Sequence, residues 1–147
     1  MTKPMKRQKQ KQILVVDDDE GVRRTLARVL RDEGYSVRSA ADGAEALEVA
    51  NHSAPDLVLL DLRLPDRSGW DVFGRLVQLR PLLPVVIITA RPNQFFTALA
   101  AGVGAFLEKP LHIPKLVQTV SQLLRESVET RLARASGKLA GFHYLPA

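Results

Sequence analysis

The chain has 147 residues, of which 46% are hydrophobic and 25% charged, the proportions of one soluble globular domain able to build a core. It contains no cysteine, which excludes disulfides and thiolate metal sites. No apolar run approaches the roughly 18 residues of a membrane span, and the four residues Ile13 to Val16 are no signal-peptide core, so a cytoplasmic protein is expected. The formal charge of +5 is terminal: residues 1–12 hold five bases and no acid, residues 13–124 hold 12 bases against 14 acids, and residues 125–147 hold 4 against 2. Residues 1–12 read as a disordered basic tail, and no aromatic side chain there supports nucleic-acid stacking.

ILVV at 13–16 reads as a short strand running into Asp17, Asp18, Asp19 and Glu20. Val22, Leu26, Val29 and Leu30 then lie on one face of a helix that Gly34 stops. A second strand covers Tyr35 to Ala40. Asp42, with Glu45 three residues on, is a capping box opening a second helix. Leu57 to Leu60 is apolar without alternation, the pattern of a strand buried on both faces, and it ends on Asp61 before Pro65 and Gly69 break regular structure. Val72, Phe73, Leu76 and Val77 mark a third helix, PVVIITA at 84–90 a fourth strand, and residues 93–101 a short helix. Phe95 and Phe96 cannot both face the core, because helical neighbours point about 100° apart. Ala105 to Leu107 forms a fifth strand, followed by Lys109 and Pro110.

From Ile113 or Pro114 the last helix reads long. Val117, Val120, Leu124, Val128 and Leu132 continue one apolar stripe, and no Gly or Pro intervenes before Gly137. A continuous helix over 114–135 would span roughly 33 Å, long enough to pair with a second copy in a homodimer. Residues 138–147 are too few for an output domain, although Phe142, Tyr144 and Leu145 could dock on a surface. His52, His112 and His143 have no ligand-like spacing. Strand and helix thus alternate five times, the signature of a doubly wound α/β fold with a five-stranded parallel sheet.

In such a sheet the strand ends share one edge, which brings together Asp17 and Asp18, Asp61, Thr89 and Lys109. Three carboxylates in one place repel unless a cation joins them. Oxygen donors without His or Cys suit magnesium, which often completes its shell with phosphate. A lysine and a hydroxyl facing that ion would complement a phosphoryl group. The set is equipment for phosphoryl transfer onto a carboxylate.

VVDDDE, LLDLRLPDRSG, IITA and FLEKP together resemble the receiver domain of two-component response regulators, over roughly residues 13–124. The resemblance implies a sheet of order 2-1-3-4-5 with five helices. It implies that Asp61 accepts a phosphoryl group from a phosphohistidine on a sensor histidine kinase or phosphotransfer protein. It further implies magnesium held by Asp17, Asp18, Asp61 and the backbone carbonyl of Arg63, with Asp18 the more direct of the acidic pair. Thr89 matches the switch hydroxyl, Lys109 the phosphoryl-contacting lysine, and the Lys109–Pro110 peptide is cis in relatives. Phe106 takes the place of a switch aromatic that is often Tyr. Arg63 and Arg91, two residues after Asp61 and Thr89, match positions that border the path of hydrolytic water. The spacing from Thr89 to Lys109 is about two residues shorter than in typical relatives.

The expected organisation is therefore a tail over 1–12, a receiver domain over 13–124, and a helical extension and tail over 125–147. The expected role is regulatory rather than enzymatic: a domain that promotes its own phosphorylation and dephosphorylation and switches protein–protein contacts, with a downstream partner unknown. The alternatives are a phosphorylation-independent interaction module, or the N-terminal receiver of a DNA-binding regulator. A haloacid-dehalogenase-type phosphatase would need a second acid two residues after the nucleophile, where this chain has Arg63.

Overall fold

The computed structural model describes residues 10–147, apart from Leu139 and the side chain of Phe96. Most of the expected basic tail lies outside that range. Gln12, expected in the tail, instead opens the first strand, paired level with Ser36, and its amide donates to Asp56 Oδ2 at 2.8 Å. The strands are β1 (Gln12–Val16), β2 (Ser36–Ala40), β3 (Leu57–Asp61), β4 (Val85–Thr89), β5 (Ala105–Glu108) and β6 (His143–Leu145). The helices are α1 (Glu20–Asp32), α2 (Gly43–Ser53), α3 (Gly69–Leu79), α4 (Phe95–Ala101), α5 (Ile113–Leu124) and α6 (Val128–Ala135).

All strand pairs are parallel, in the order β2-β1-β3-β4-β5-β6. The expected 2-1-3-4-5 order is present, and a sixth strand extends it. β3 and β4 are buried along their whole length, as unbroken apolar runs require when helices cover both faces. Alternate strand residues divide into two cores. Leu14, Val16, Val58, Leu60 and Ile87 pack with α2 and α3 on one face, while Ile13, Val15, Leu59 and Ile88 pack with α1 and α5 on the other. Among the described residues no helix is long and apolar enough to cross a membrane.

Local chemistry sets the helix ends. Asp42 accepts the Glu45 amide at 2.8 Å while the Glu45 carboxylate takes the Ala41 amide at 3.1 Å, a reciprocal cap shifted one residue outward. Gly69 is required where α3 meets β3: a Cβ there would lie 2.4 Å from the Asp61 carbonyl oxygen and 2.6 Å from Leu62 Cα.

Asp66 reaches from the loop after β3 to the start of α2, where its carboxylate accepts the amides of Gly43 and Ala44 at 2.8 and 2.9 Å. These bonds, the Gly43 amide foremost, hold the Asp66 carboxyl below its usual range. A depressed folded pKa stabilises at pH above the unfolded value, about 3.9, and the benefit fades as pH falls through the folded value. The stability difference between wild type and Asp66→Ala is therefore expected to be full at neutral pH and to shrink below about pH 4. Urea midpoints across that range check it, and a difference unchanged into strong acid would contradict the capping role.

The expected single last helix is broken. α5 ends at Leu124, and α6 begins at Val128 after Ser127 adopts an extended backbone and accepts the Thr130 amide at 3.1 Å. The reason is tertiary. Arg134 lies 5% exposed and grips Glu126 through Nη1 at 2.6 Å and Nη2 at 2.8 Å. In a continuous helix eight residues would separate them by about 12 Å along the axis. Arg131 completes the break by donating to the carbonyl of Leu123 at 3.0 Å at the end of α5. The stripe expected to drive dimer formation is thus split, and Val128 and Leu132 are exposed. α6 instead returns the chain as the crossover that a parallel β6 needs.

Candidate functional site at the carboxyl edge of the sheet

The strand register brings the expected residues together. Val16 is level with Leu60, so Asp17 follows β1 where Asp61 ends β3, and Asp61 is level with Ile88, one residue before Thr89. Thr89 is in turn level with Glu108, and Lys109 donates its amide to the Thr89 carbonyl at 2.8 Å. Carboxylate oxygens of Asp17, Asp18 and Asp61 all lie within 4.8 Å of one another. Asp17 and Asp61 are buried, whereas Asp18 faces solvent.

Lys109 is shared. Its Nζ lies 2.9 Å from Asp17 Oδ2 and 2.9 Å from Asp61 Oδ2. The second oxygen of each carboxylate is also taken, Asp17 Oδ1 by the Asp19 amide at 2.9 Å and Asp61 Oδ1 by the Arg63 amide at 3.0 Å. Burial pushes the Asp17 carboxyl above its usual range, despite its bond to Lys109. Burial would lower Lys109, but its bonds to Asp17 and Asp61 outweigh that and hold it above its usual value. Three carboxylates against one ammonium leave two negative charges unbalanced, and the hard oxygen donor set fits one divalent cation of the magnesium class.

Thr89 is 1% exposed, and its hydroxyl accepts the Arg91 amide at 2.9 Å. Arg63 and Arg91 join Asp18, Asp61, Thr89 and Lys109 in lining one open cleft of about 450 Å³. The Lys109–Pro110 peptide is cis. Phe106 is buried on β5, three residues before Lys109, with its ring 5.8 Å from that of Tyr144.

Three connections around the site were not read from the sequence. The indole N–H of Trp70, at the start of α3, donates to Gln94 at 3.0 Å and ties α3 to the N-cap of α4. Arg23 donates to the Asp17 carbonyl at 2.8 Å and fixes the turn carrying the acids. The Gly69 contact beneath Asp61 was visible only as a helix breaker, because a glycine shows no sign of what approaches it. A basic residue one turn into α1 was the available signal for Arg23.

The fold and site thus define a doubly wound α/β protein with an acidic cluster, a lysine and a threonine converging on one strand edge, a donor set compatible with a divalent cation and a phosphoryl group. The response regulator receiver domain family is matched over residues 13–121. The transcriptional regulatory protein GlrR of Escherichia coli strain K12 is 38% identical over 117 residues, covering 78% of this chain and 26% of GlrR. Response regulator MprA of Mycobacterium sp. strain KMS is 39% identical over 117 residues, covering 78% of this chain and 51% of MprA. Among solved structures, the non-phosphorylated HemR receiver domain of Leptospira biflexa superposes with a TM-score of 0.76 at 32% identity, covering 80% of this chain and 97% of that one. The chain belongs to the response regulator receiver domain family, the regulated module of two-component signalling. It spans between a quarter and about half the length of these curated relatives.

Proposed function

We propose that Asp61 is the phosphoryl acceptor of this receiver and that the donor is a phosphohistidine on a sensor kinase or phosphotransfer protein. An Asp61 carboxylate oxygen attacks phosphorus as the P–N bond breaks, the acyl phosphate forms, and the histidine departs with the bond pair. The observation that carries the reading is the shared ammonium, 2.9 Å from both Asp17 and Asp61 at the head of an open cleft. Lys109 aims Asp61 through its 2.9 Å contact with Oδ2, and it stands ready to follow charge onto the phosphoryl oxygens. The Arg63 amide holds the other Asp61 oxygen, so the carboxylate has a fixed orientation. The Arg91 amide occupies only an acceptor lone pair of the Thr89 hydroxyl, so its O–H proton can be donated to a phosphoryl oxygen of the product.

Asp17, Asp18, Asp61 and the Arg63 carbonyl would hold magnesium, which supplies neutralisation of the charge that accumulates in transfer. The domain then acts as a switch that catalyses only its own loading and unloading. The direct test is exposure to acetyl phosphate and magnesium with intact-mass detection. Wild type is expected to gain one phosphoryl group and Asp61→Asn none, and a gain that survives Asp61→Asn would overturn the assignment.

Arg63 and Arg91 are exposed side chains at the mouth of the same cleft. Two cations there shield an acyl phosphate from water and hold it electrostatically. The phosphorylated protein is expected to persist well beyond seconds, and Arg63→Asn to shorten its half-life. A wild-type half-life of seconds, or slower decay in Arg63→Asn, would contradict this.

A second reading, that this receiver serves a transcriptional regulator, is favoured by the relatives named as such and by the fraction of their length that is matched. It is checked by whether the open reading frame continues past Ala147 into a DNA-binding domain; a stop codon there would remove it.

A further inference from the structure

β5 carries the outer edge of the expected five-stranded order. Bare, that edge would offer a row of unpaired N–H and C=O groups beside the rings of Phe95 and Phe106, a template for strand addition. In this chain β6 occupies it. His143 donates its amide to the Gly104 carbonyl at 3.1 Å, and Tyr144 lies level with Phe106. The Phe142 ring sits 5.9 Å from Phe95, and the Tyr144 ring sits 4.7 Å from Phe95 and 5.8 Å from Phe106. The Tyr144 hydroxyl donates to Glu108 at 2.7 Å. Residues two apart share one face of a strand, so the site reads an aromatic-x-tyrosine pattern.

The occupant is far weaker than what it covers. β6 has three residues, none of them buried, and Tyr144 is 43% exposed. It arrives on a connection with left-handed backbone at Gly137 (φ +87°) and Gly141 (φ +65°), anchored by the Arg134–Glu126 pair. A strand this short owes its occupancy to tethering, which supplies an effective concentration on the order of millimolar. Short edge segments open locally at far lower cost than core strands.

We propose that the β5 edge, together with the ring of Phe95 on α4, is a strand-acceptor site for an extended peptide bearing an aromatic residue and a tyrosine two positions on, and that β6 is its tethered resident occupant. The partner is thus a segment with the chemistry of this chain's own FHYL, entering parallel to β5. The site is separate from the cleft at Asp61, and the proposal stands whatever chemistry occurs there.

The test uses the full chain and a fluorescein-labelled peptide, KLAGFHYLPA, followed by anisotropy. A chain carrying Phe142→Ala and Tyr144→Ala loses both rings that hold β6 in place, Phe142 being a partly buried neighbour of the first core and Tyr144 43% exposed. It is expected to bind the peptide at least tenfold more tightly than wild type. Adding Phe95→Ala is expected to cost at least tenfold, and replacing the peptide's tyrosine by phenylalanine to weaken it several-fold by removing the bond to Glu108. His143→Pro, which deletes the ladder amide, provides a second opening if circular dichroism shows the double variant disturbed. Equal affinity for emptied and wild-type chains, or equal binding of a peptide lacking both rings, would overturn the proposal.

Discussion

Lys109→Met is expected to lower the unfolding free energy by about 3 kcal/mol in magnesium-free buffer, the low end for breaking a buried ion pair. Lys109 is the ammonium bonded to both Asp17 and Asp61, whose side chains are 0% and 6% exposed. Its removal leaves two buried carboxylates facing each other without compensation. The low end applies because the Lys109 side chain is itself 23% exposed, so water relieves part of the cost. Adding Asp61→Asn removes one of the stranded charges, so the double variant is expected to recover about 1–3 kcal/mol relative to additivity. Magnesium is expected to raise the stability of wild type, because the folded carboxylate cluster would offer it a site that the unfolded chain lacks. Urea denaturation of the four proteins measures all of this. Strictly additive losses would mean that the 2.9 Å contacts do not couple energetically.

The second large effect lies at the other end of the molecule. Arg134→Met strands the Glu126 carboxylate, whose side chain is 9% exposed, and removes the guanidinium that also reaches the carbonyls of Ala140 and Gly141 at 3.3 Å. Breaking such a pair costs about 3–5 kcal/mol. That cost falls on α6 and β6, which cannot lose more than their own docking free energy. The expected result is therefore local: the His143 amide exchanges about 100-fold faster, while core amides of β3 and β4 and the urea midpoint change little. Replacing Glu126 by leucine as well should restore protection, since an apolar pair leaves no uncompensated charge. Exchange that accelerates equally throughout the sheet would show α6 to be part of the global folding unit.

Much of this architecture was legible because local and tertiary signals agree. Asp61, Thr89 and Lys109 each lie at or just past the end of a short apolar run bounded by turn residues, the pattern of a buried strand, and a parallel sheet brings such ends to one edge. Asp42 and Glu45 announced α2 through chemistry confined to one turn. The last helix misled for a physical reason. Leu124, Val128 and Leu132 keep a spacing of four straight through a cap, and a periodic pattern does not register that the backbone has changed direction. Ser127 followed by Glu129 in the next turn was a legible start signal that the apolar stripe masked. The decisive Glu126–Arg134 contact exists only once the chain has turned. β6 was hidden more deeply. A three-residue segment centred on an exposed tyrosine has no strand pattern of its own, and its conformation is imposed by the β5 edge. Asp66, Trp70 and Gly69 were similarly silent, because each acts on a partner that only the fold brings near.

If Asp61 alone among the carboxylates of the cluster accepts the phosphoryl group, chemical reduction of the acyl phosphate will mark that residue and no other. Borohydride reduces an acyl phosphate to an alcohol and leaves free carboxylates intact. Wild-type protein treated with acetyl phosphate and magnesium, reduced, digested and mapped by peptide mass should carry homoserine at position 61. Homoserine at position 17 or 18, or a phosphorylated chain with an unmodified Asp61, would contradict the account.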